Sequence, residues 1–336
     1  MVNMELTTLT QVEERIGKSP APRDLKVIDY IDEHAQRWLF YSHFAFMAFG
    51  QLNKIQLSAA GGNEGFVSVL DANHLQLPLS RVDEPSIIEQ DLSFGALFMI
   101  SGMAETLRVN GKVLRIENDL LTLYVEECFL HCAKAFRRSH FWLPKISIQS
   151  TDNISTFLKQ SSFLVLASIN NNGQIDVSPK GDPEGCLLQE LNEFICFADR
   201  PGNRRIDSFR NIIDQPHISM MALIPGCQNI LALHGMTTLC TDQGLLEKFI
   251  VQNKIPKLIT KITAETKTLK PSMAITRSAL WPAKEARSDI NPAEIFKSHI
   301  KHSKEHSLKA KVARAAVALP GAFEVGLKAD YKNNMY

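Results

Sequence analysis

The chain repeats itself, and the repeat restricts the available folds more than any local pattern does. IQLSAAGGNEGFVSVL at Ile55–Leu70 aligns with IDVSPKGDPEGCLLQE at Ile175–Glu190, sharing Ile, Ser, Gly, Glu and Gly at a constant offset of 120 residues. At the same offset LPLSRVDEPSIIEQDL (Leu77–Leu92) lies on FADRPGNRRIDSFRNI (Phe197–Ile212). Further on, ALFMISGMAETLRVNG (Ala96–Gly111) meets MALIPGCQNILALHG (Met221–Gly235), and AFRRSHFW (Ala135–Trp142) meets AITRSALW (Ala274–Trp281). The halves read as diverged copies of one domain, over 1–148 and 149–285, followed by an extension over 286–336.

Each copy is rich in short strand signals. FLVLASINNNGQIDVS reads as strand, Asn/Gly turn, strand, and HISMMALI and NILALHGMTTLC as two more strands across a Pro-Gly turn. SPKGDPEG reads as a Gly/Pro-rich turn, NEFICFA as a short β run and IDSFRNII as a helix. DQGLLEKFIVQNKIPKLITKI adds a helix through Leu245, Leu246, Phe249 and Ile250, which the first copy has nearly lost at RIENDLLTLYVEE. Short strands with few helices suit a small antiparallel barrel, which hides sheet edges by closing on itself. The expected fold is mainly β with α: two tandem barrels side by side. In the extension, Asn291 is placed to cap a helix that opens with Pro292, so the tail reads as helical before Pro320-Gly321. The closing ADYKNNMY is open to two readings, a loose end or a strap over a site.

Composition narrows the function. The 336 residues are 45% hydrophobic and 22% charged, with a net charge of +1, so nothing pulls the chain globally towards nucleic acid or anionic membrane. The first twenty residues lack a basic and then apolar leader pattern, and no run approaches a membrane span; a cytoplasmic protein is expected. Six cysteines, at 128, 132, 186, 196, 227 and 240, show neither CxxC nor paired spacing, which points to free thiols rather than metal or disulfides. His302 and His306 stand four apart, but a solvated helix face accounts for them and no metal site is expected.

The chemistry concentrates between Ser178 and Arg210. Asp199, Arg200, Asn203, Arg204 and Arg205 lead from a turn into the helical IDSFRNII. Adjacent arginines at a turn-to-helix junction suit a phosphate, because planar guanidinium forks match its oxygens and the helix start adds N–H donors.

The strings SPKGDPEG, ADRPGNRRIDSFRNI and HISMMALIPG resemble the pyridoxamine 5'-phosphate oxidase-like, FMN-binding split-barrel family, and within it the subgroup with SPRGD and PDRPGN signatures. The resemblance implies FMN as cofactor. It places Ser178, Pro179 and Lys180 along the isoalloxazine, with Asn203, Arg204 and Arg205 on the phosphate and Asp199 and Arg200 beside them. A cation at the N1/O2 edge would favour the reduced, anionic ring. Family members are typically homodimers whose sites straddle the interface, so a tandem copy implies an intramolecular pseudo-dimer, with further pairing of whole chains left open.

The copies have decayed in complementary places. Where the second has Lys180, Asp199, Arg200, Asn203, Arg204 and Arg205, the first has Ala60, Leu79, Ser80, Asp83, Glu84 and Pro85, whose carboxylates should repel a phosphate. Conversely, ETLRVNG and HCAKAFRRSHFW resemble two further subgroup signatures and are kept by the first copy, whereas the second has lost the polar residues equivalent to Thr106, Arg108, His131 and Lys134. One composite site per chain follows, with the phosphate turn from the second copy and the opposing wall from the first.

Each role has a plainer rival. Arg204 and Arg205 compete with solvated surface arginines, Lys180 with an exposed turn lysine, and Asp199 and Arg200 with a local turn salt bridge. Thr106 and Arg108 alternate to one strand face, either addressing one ligand or lying on plain surface. His131, Lys134, Arg137 and Arg138 form a basic cluster for an anionic substrate or the flavin tail, or an interdomain salt-bridge patch. Trp142 and Trp281, at equivalent positions, read as core packing rather than flavin stacking.

No Walker loop, strand–GxGxxG–helix unit or GxSxG elbow is present, and no general base stands out. Two function classes remain: an FMN-dependent oxidoreductase acting on a small organic molecule, and a non-catalytic flavin- or haem-binding protein.

Overall fold

The computed structural model describes residues 5–18, 25–143, 151–202, 206–304, 311, 314 and 335–336. After a short β1 (Glu5–Leu6), seven strands build one sheet: β2 (Phe44–Gln51), β3 (Lys54–Gly61), β4 (Ser68–Asp71), β5 (His74–Pro78), β6 (Ser93–Met99), β7 (Thr106–Glu117) and β8 (Leu120–His131). Seven more build another: β9 (Phe163–Ile169), β10 (Ile175–Gly181), β11 (Gln189–Leu191), β12 (Phe194–Ala198), β13 (His217–Leu223), β14 (Asn229–Cys240) and β15 (Ile259–Pro271). Helices are short: α1 (Leu9–Ile16), α2 (Glu33–Tyr41), α3 (Lys134–Arg138), α4 (Ile154–Gln160), α5 (Asp207–Asp214), α6 (Gln243–Glu247), α7 (Met273–Ser278) and α8 (Pro292–His302).

Both sheets are antiparallel and share one strand order. The first runs β3-β2-β6-β7-β8-β5-β4 and the second β10-β9-β13-β14-β15-β12-β11, strand for strand the same path. The fold is therefore mainly β with α, built on two antiparallel sheets of like strand order.

The apolar runs FAFMAF and FLVLASI are explained by burial on both faces. Side chains alternate along a strand. On β2, Ala45, Met47 and Phe49 enter the core of the first barrel, while Phe44, Phe46 and Ala48 enter a second cluster between the barrels. On β9, Leu164 and Leu166 enter the core of the second barrel, and Phe163, Val165, Ala167 and Ile169 the shared cluster. Phe163 is its hub, with ring centroids 4.7 Å from Phe136, 4.6 Å from Phe141 and 6.1 Å from Phe46. Trp142 and Trp281 pack at the edge of this cluster, donating to the carbonyls of Met103 and Phe141.

The chain ends pack crosswise. β1 pairs with β14, and Val12 of α1 enters the core of the second barrel. Helix α8 instead packs on β8, with Ile290 and Ile295 in the core of the first barrel. Asn291 caps α8 by accepting from Ala293 N at 3.0 Å, as its sequence implied. Beyond His302 the expected helix falls almost wholly outside the described residues, as does His306.

Two local expectations need correction. The long helix expected after Asp242 ends at Glu247; Gln252 and Asn253 take positive φ, and the LITKI segment opens β15 instead. Pro256 and the β-branched alternation that follows it explain the change. The stretch expected as a turn, SPKGDPEG, continues β10 as far as Gly181. Because β10 pairs only with β9, Pro179 sits on an edge strand, where its missing N–H breaks no ladder.

Two outcomes are expected. Phe163→Ala should lose about 3–5 kcal/mol of stability in urea denaturation, the usual cost of deleting a buried aromatic ring. Asp32, the cap of α2, also accepts from Ser298 and His299 of α8. Burial alone would raise its pKa, but these hydrogen bonds and the His299 charge bring it down to about 2. A depressed aspartate stabilises the fold above its unfolded pKa, and the contribution is lost as pH falls through the folded value. Acid titration should thus show stability falling from the ordinary aspartate range towards pH about 2, and Asp32→Ala should flatten that slope.

Candidate functional site

A cavity of about 730 Å³ opens where α3, from the first half of the chain, meets β10 and the β12–α5 connection of the second. That volume is in the range of small-molecule and cofactor sites. Helix α3 lies against β10 because residue 181 is glycine: a Cβ there would stand 2.1 Å from the Ala135 carbonyl oxygen. The contact is reciprocal, for a Cβ on Gly61 of β3 would stand 2.3 Å from the Ala274 oxygen of α7.

Most residues expected at a site meet here. His131, Lys134 and Arg138 line the cavity from the first half, and Ser178, Pro179, Lys180, Asp199 and Arg200 from the second. Asn203, Arg204 and Arg205 lie outside the described residues; Gly202 and Ile206 on either side line the cavity. Arg137 is exposed and not part of the lining.

Thr106 and Arg108 are placed elsewhere. Both are fully buried, so neither is plain surface, and neither lines the cavity. The Arg108 guanidinium pairs with Asp176 and donates to the Val177 carbonyl, tying β7 to β10. Asp176 also accepts from Ser178 Oγ at 2.6 Å and Ser208 Oγ at 3.0 Å. The expected ligand contact is instead a buried clamp behind Ser178, because β10 presents Asp176 towards β7 before it reaches the cavity.

The lining carries charge held in unusual states. Burial pushes the Lys180 pKa down, against the pull of Asp199 and Asp176. Its ammonium lies 5.3 Å from the Phe209 ring centroid, and among the described residues it has no hydrogen-bond or ion-pair partner. Burial pushes Asp199 up, opposed by Lys180, Arg138 and Arg200. Arg200 does not pair with its neighbour Asp199: its Nε donates to Asp182 Oδ2 at 2.6 Å. Burial raises the Asp182 pKa despite that contact.

Several lining residues escaped the sequence reading. Asp182 stood inside the quoted GDPEG, but only the fold brings it to Arg200. Cys132, Phe209 and Lys254–Lys257 also line the cavity, as does Tyr336. Tyr336 lies 5.4 Å from the Arg138 guanidinium and 5.9 Å from that of Arg200, and Arg138 Nε donates to the Met335 carbonyl at 2.7 Å. Of the segment open to two readings, a loose end or a strap over a site, the described Met335 and Tyr336 stand at the cavity. All six cysteines are free, four of them buried. No group of His, Cys, Asp or Glu suited to a metal occurs among the described residues.

At the equivalent sequence positions the first half places carboxylates that make contacts of their own. Asp83 accepts from Ser272 Oγ at 2.5 Å, Ala274 N at 2.6 Å and Arg277 at 3.1 Å, and Glu84 pairs with Lys270. The carboxylates expected to repel a phosphate are therefore engaged in contacts between the barrels. An internal anion stands where α7 meets the first barrel.

Residues 150–281 match the family model described as pyridoxamine 5'-phosphate oxidase. No curated protein matches the chain. Among solved structures, HupZ of Group A Streptococcus is similar at 16% identity, covering 37% of this chain and 96% of its own, with a TM-score of 0.29. General Stress Protein 26 of Bacillus anthracis gives 15% identity over 35% of this chain and 92% of its own, TM-score 0.28. HutZ of Vibrio cholerae, titled a haem storage protein, gives 13% identity over 36% and 95%, TM-score 0.26. No helix among the described residues is long and apolar enough to cross a membrane.

Removing Arg108 tests the clamp. Arg108→Ala leaves Asp176 buried without its cation and should cost about 3–5 kcal/mol in chemical denaturation. Since Arg108 is outside the lining, ligand affinity measured under conditions where the variant is folded should change far less than stability.

Proposed function

We propose that the chain is a flavoprotein holding one FMN in the composite cavity, and that it acts as an FMN-dependent oxidoreductase on a small organic molecule. The two halves are read as a tandem duplication that now works as an intramolecular pseudo-dimer. The observation that carries this reading is the asymmetry between matched positions of the two halves. On one side is a cavity lined by Lys134, Arg138, Lys180 and Arg200, with the Lys180 ammonium unpaired among the described residues; on the other Asp83 is engaged by Ser272 and Ala274.

The residues present fit FMN in three respects. The volume accommodates a cofactor, the lining is cationic, and among the described residues the Lys180 ammonium has no hydrogen-bond or ion-pair partner. Asn203, Arg204 and Arg205 would hold the phosphate, with His131, Lys134 and Arg138 as the opposing wall and Ser178–Lys180 along the ring. Bound FMN supplies the hydride or electron transfer. The chain's part is to hold and polarise it: the Arg108–Asp176–Ser178 network stiffens β10, and Lys180 brings positive charge out of water, where charge acts at greater strength. Asp199, Arg138 and Arg200 set the field around that lysine. A haem-binding reading has His131 in its favour, as a lining imidazole.

The absorption spectrum of the purified chain, with released cofactor counted, is the test. About one FMN per chain is expected; two would contradict that asymmetry, and a Soret band would favour haem. Arg204→Ala with Arg205→Ala should abolish flavin retention, whereas Arg81→Ala should leave it unchanged; equal losses would contradict a single site.

A further inference from the structure

A lysine withdrawn from water ordinarily spends its ammonium on an acceptor of the protein. Lys26, 5% exposed, donates to the Leu130 carbonyl at 2.6 Å, and the half-buried Lys112 donates to Ser93 Oγ at 2.8 Å. Lys180 does not follow that pattern. It lines the cavity, and among the described residues its nitrogen has no hydrogen-bond or ion-pair partner. Its near surroundings are apolar: the Phe209 ring centroid lies 5.3 Å from Nζ, and the buried Leu187, Ala198 and Ile206 belong to the same lining.

A charge is costly in such a place. Burial lowers the Lys180 pKa, Asp199 and Asp176 pull against that, and Arg138 and Arg108 add to it. Burial also raises the pKa of Asp199 in the same lining, which weakens the nearest carboxylate as a counter-charge. The environment therefore favours an amine with a free lone pair, turned to a space that admits a small molecule. The matched positions in the first half are Ala60 and Leu79, so this arrangement belongs to the cavity alone.

We propose that, in the flavin-free cavity, Lys180 Nζ captures small aldehydes as an imine. The amine lone pair attacks the carbonyl carbon and forms the C–N bond. Nitrogen gives up its two protons, oxygen takes up two and leaves as water, and the C=N bond closes. Amine and aldehyde thus yield imine and water, with no oxidant or reductant, and the reverse reaction releases the aldehyde. This goes beyond the flavin reading and does not depend on it. An anion bound beside Lys180 restores its proton and takes its space, so FMN and aldehyde compete for the cavity.

The test uses the full chain, freed of any flavin by dialysis against bromide and checked for folding by circular dichroism. It is incubated at neutral pH with propanal and sodium cyanoborohydride, which reduces the C=N bond and fixes the adduct as a secondary amine. Peptide mass spectrometry then reads the rate of propylation at each lysine. Lys180 should be labelled at least about tenfold faster than the exposed Lys54 and Lys159, because burial leaves more of it as free amine. Labelling at Lys180 no faster than at Lys54 overturns the proposal, and that arm needs no variant to fold. In Lys180→Arg, which keeps the cation, the fast label should vanish; a fast label persisting elsewhere in the cavity also overturns the assignment to Lys180. FMN added before propanal should slow labelling at Lys180 and leave Lys54 unchanged. Fast labelling that FMN does not slow leaves the capture standing and counts against the flavin reading.

Discussion

The structure depends on two sheets that bury both faces of their central strands. Ordinarily an antiparallel sheet turns one face to its core and the other to water, and its strands alternate accordingly. Here β2 and β6 of one barrel press against β9 and β10 of the other, so that Phe46, Leu97, Phe163 and Val177 share a single apolar cluster. Burying a large apolar side chain stabilises by about 1.5–3 kcal/mol. A cluster of this size makes the contact between the barrels a third core, in which Arg108 and Asp176 form a buried ion pair at the edge.

That contact also creates two equivalent crevices, each between a short helix and the end of a strand. Gly181 lets α3 approach β10, and Gly61 lets α7 approach β3. Such closeness leaves room beside the helix for an anion. One half supplies the anion from its own chain as Asp83, satisfied by Ser272, Ala274 and Arg277. The other half keeps the crevice open and lines it with cations, and Tyr336 reaches its edge. The same architecture thus sets an engaged carboxylate on one side and a cation-lined cavity on the other.

How much of this was legible depended on whether a signal was local. The strands FLVLASI, HISMMALI and NILALHGMTTLC stand where their alternation and turns put them, because each pairs with a neighbour in sequence or nearly so. The helix beginning at Gln243 was overestimated: Leu245, Leu246 and Phe249 show helical spacing, but the turn at Gln252 and Asn253 and the pull of β14 end it early. Arg108 was misplaced for a related reason. Its polarity and strand position suit a ligand contact, and only the register between the barrels reveals Asp176 waiting for it. Asp182 shows the converse, since a glycine-rich turn gave no hint that its carboxylate would meet Arg200, eighteen residues on.

By itself, then, the amino-acid sequence determined the mainly β character of each half and the set of residues worth watching. Those are properties of spacing and side-chain type, and they survive without knowing what lies opposite. The tertiary structure alone decided which of those residues share a cavity, which are consumed in the interface, and that Asp83 is engaged by Ser272, Ala274 and Arg277. It also drew Tyr336 to the cavity. Each of these depends on two segments far apart in sequence arriving within hydrogen-bonding distance, and the sheet order and the apolar contact between barrels set that distance.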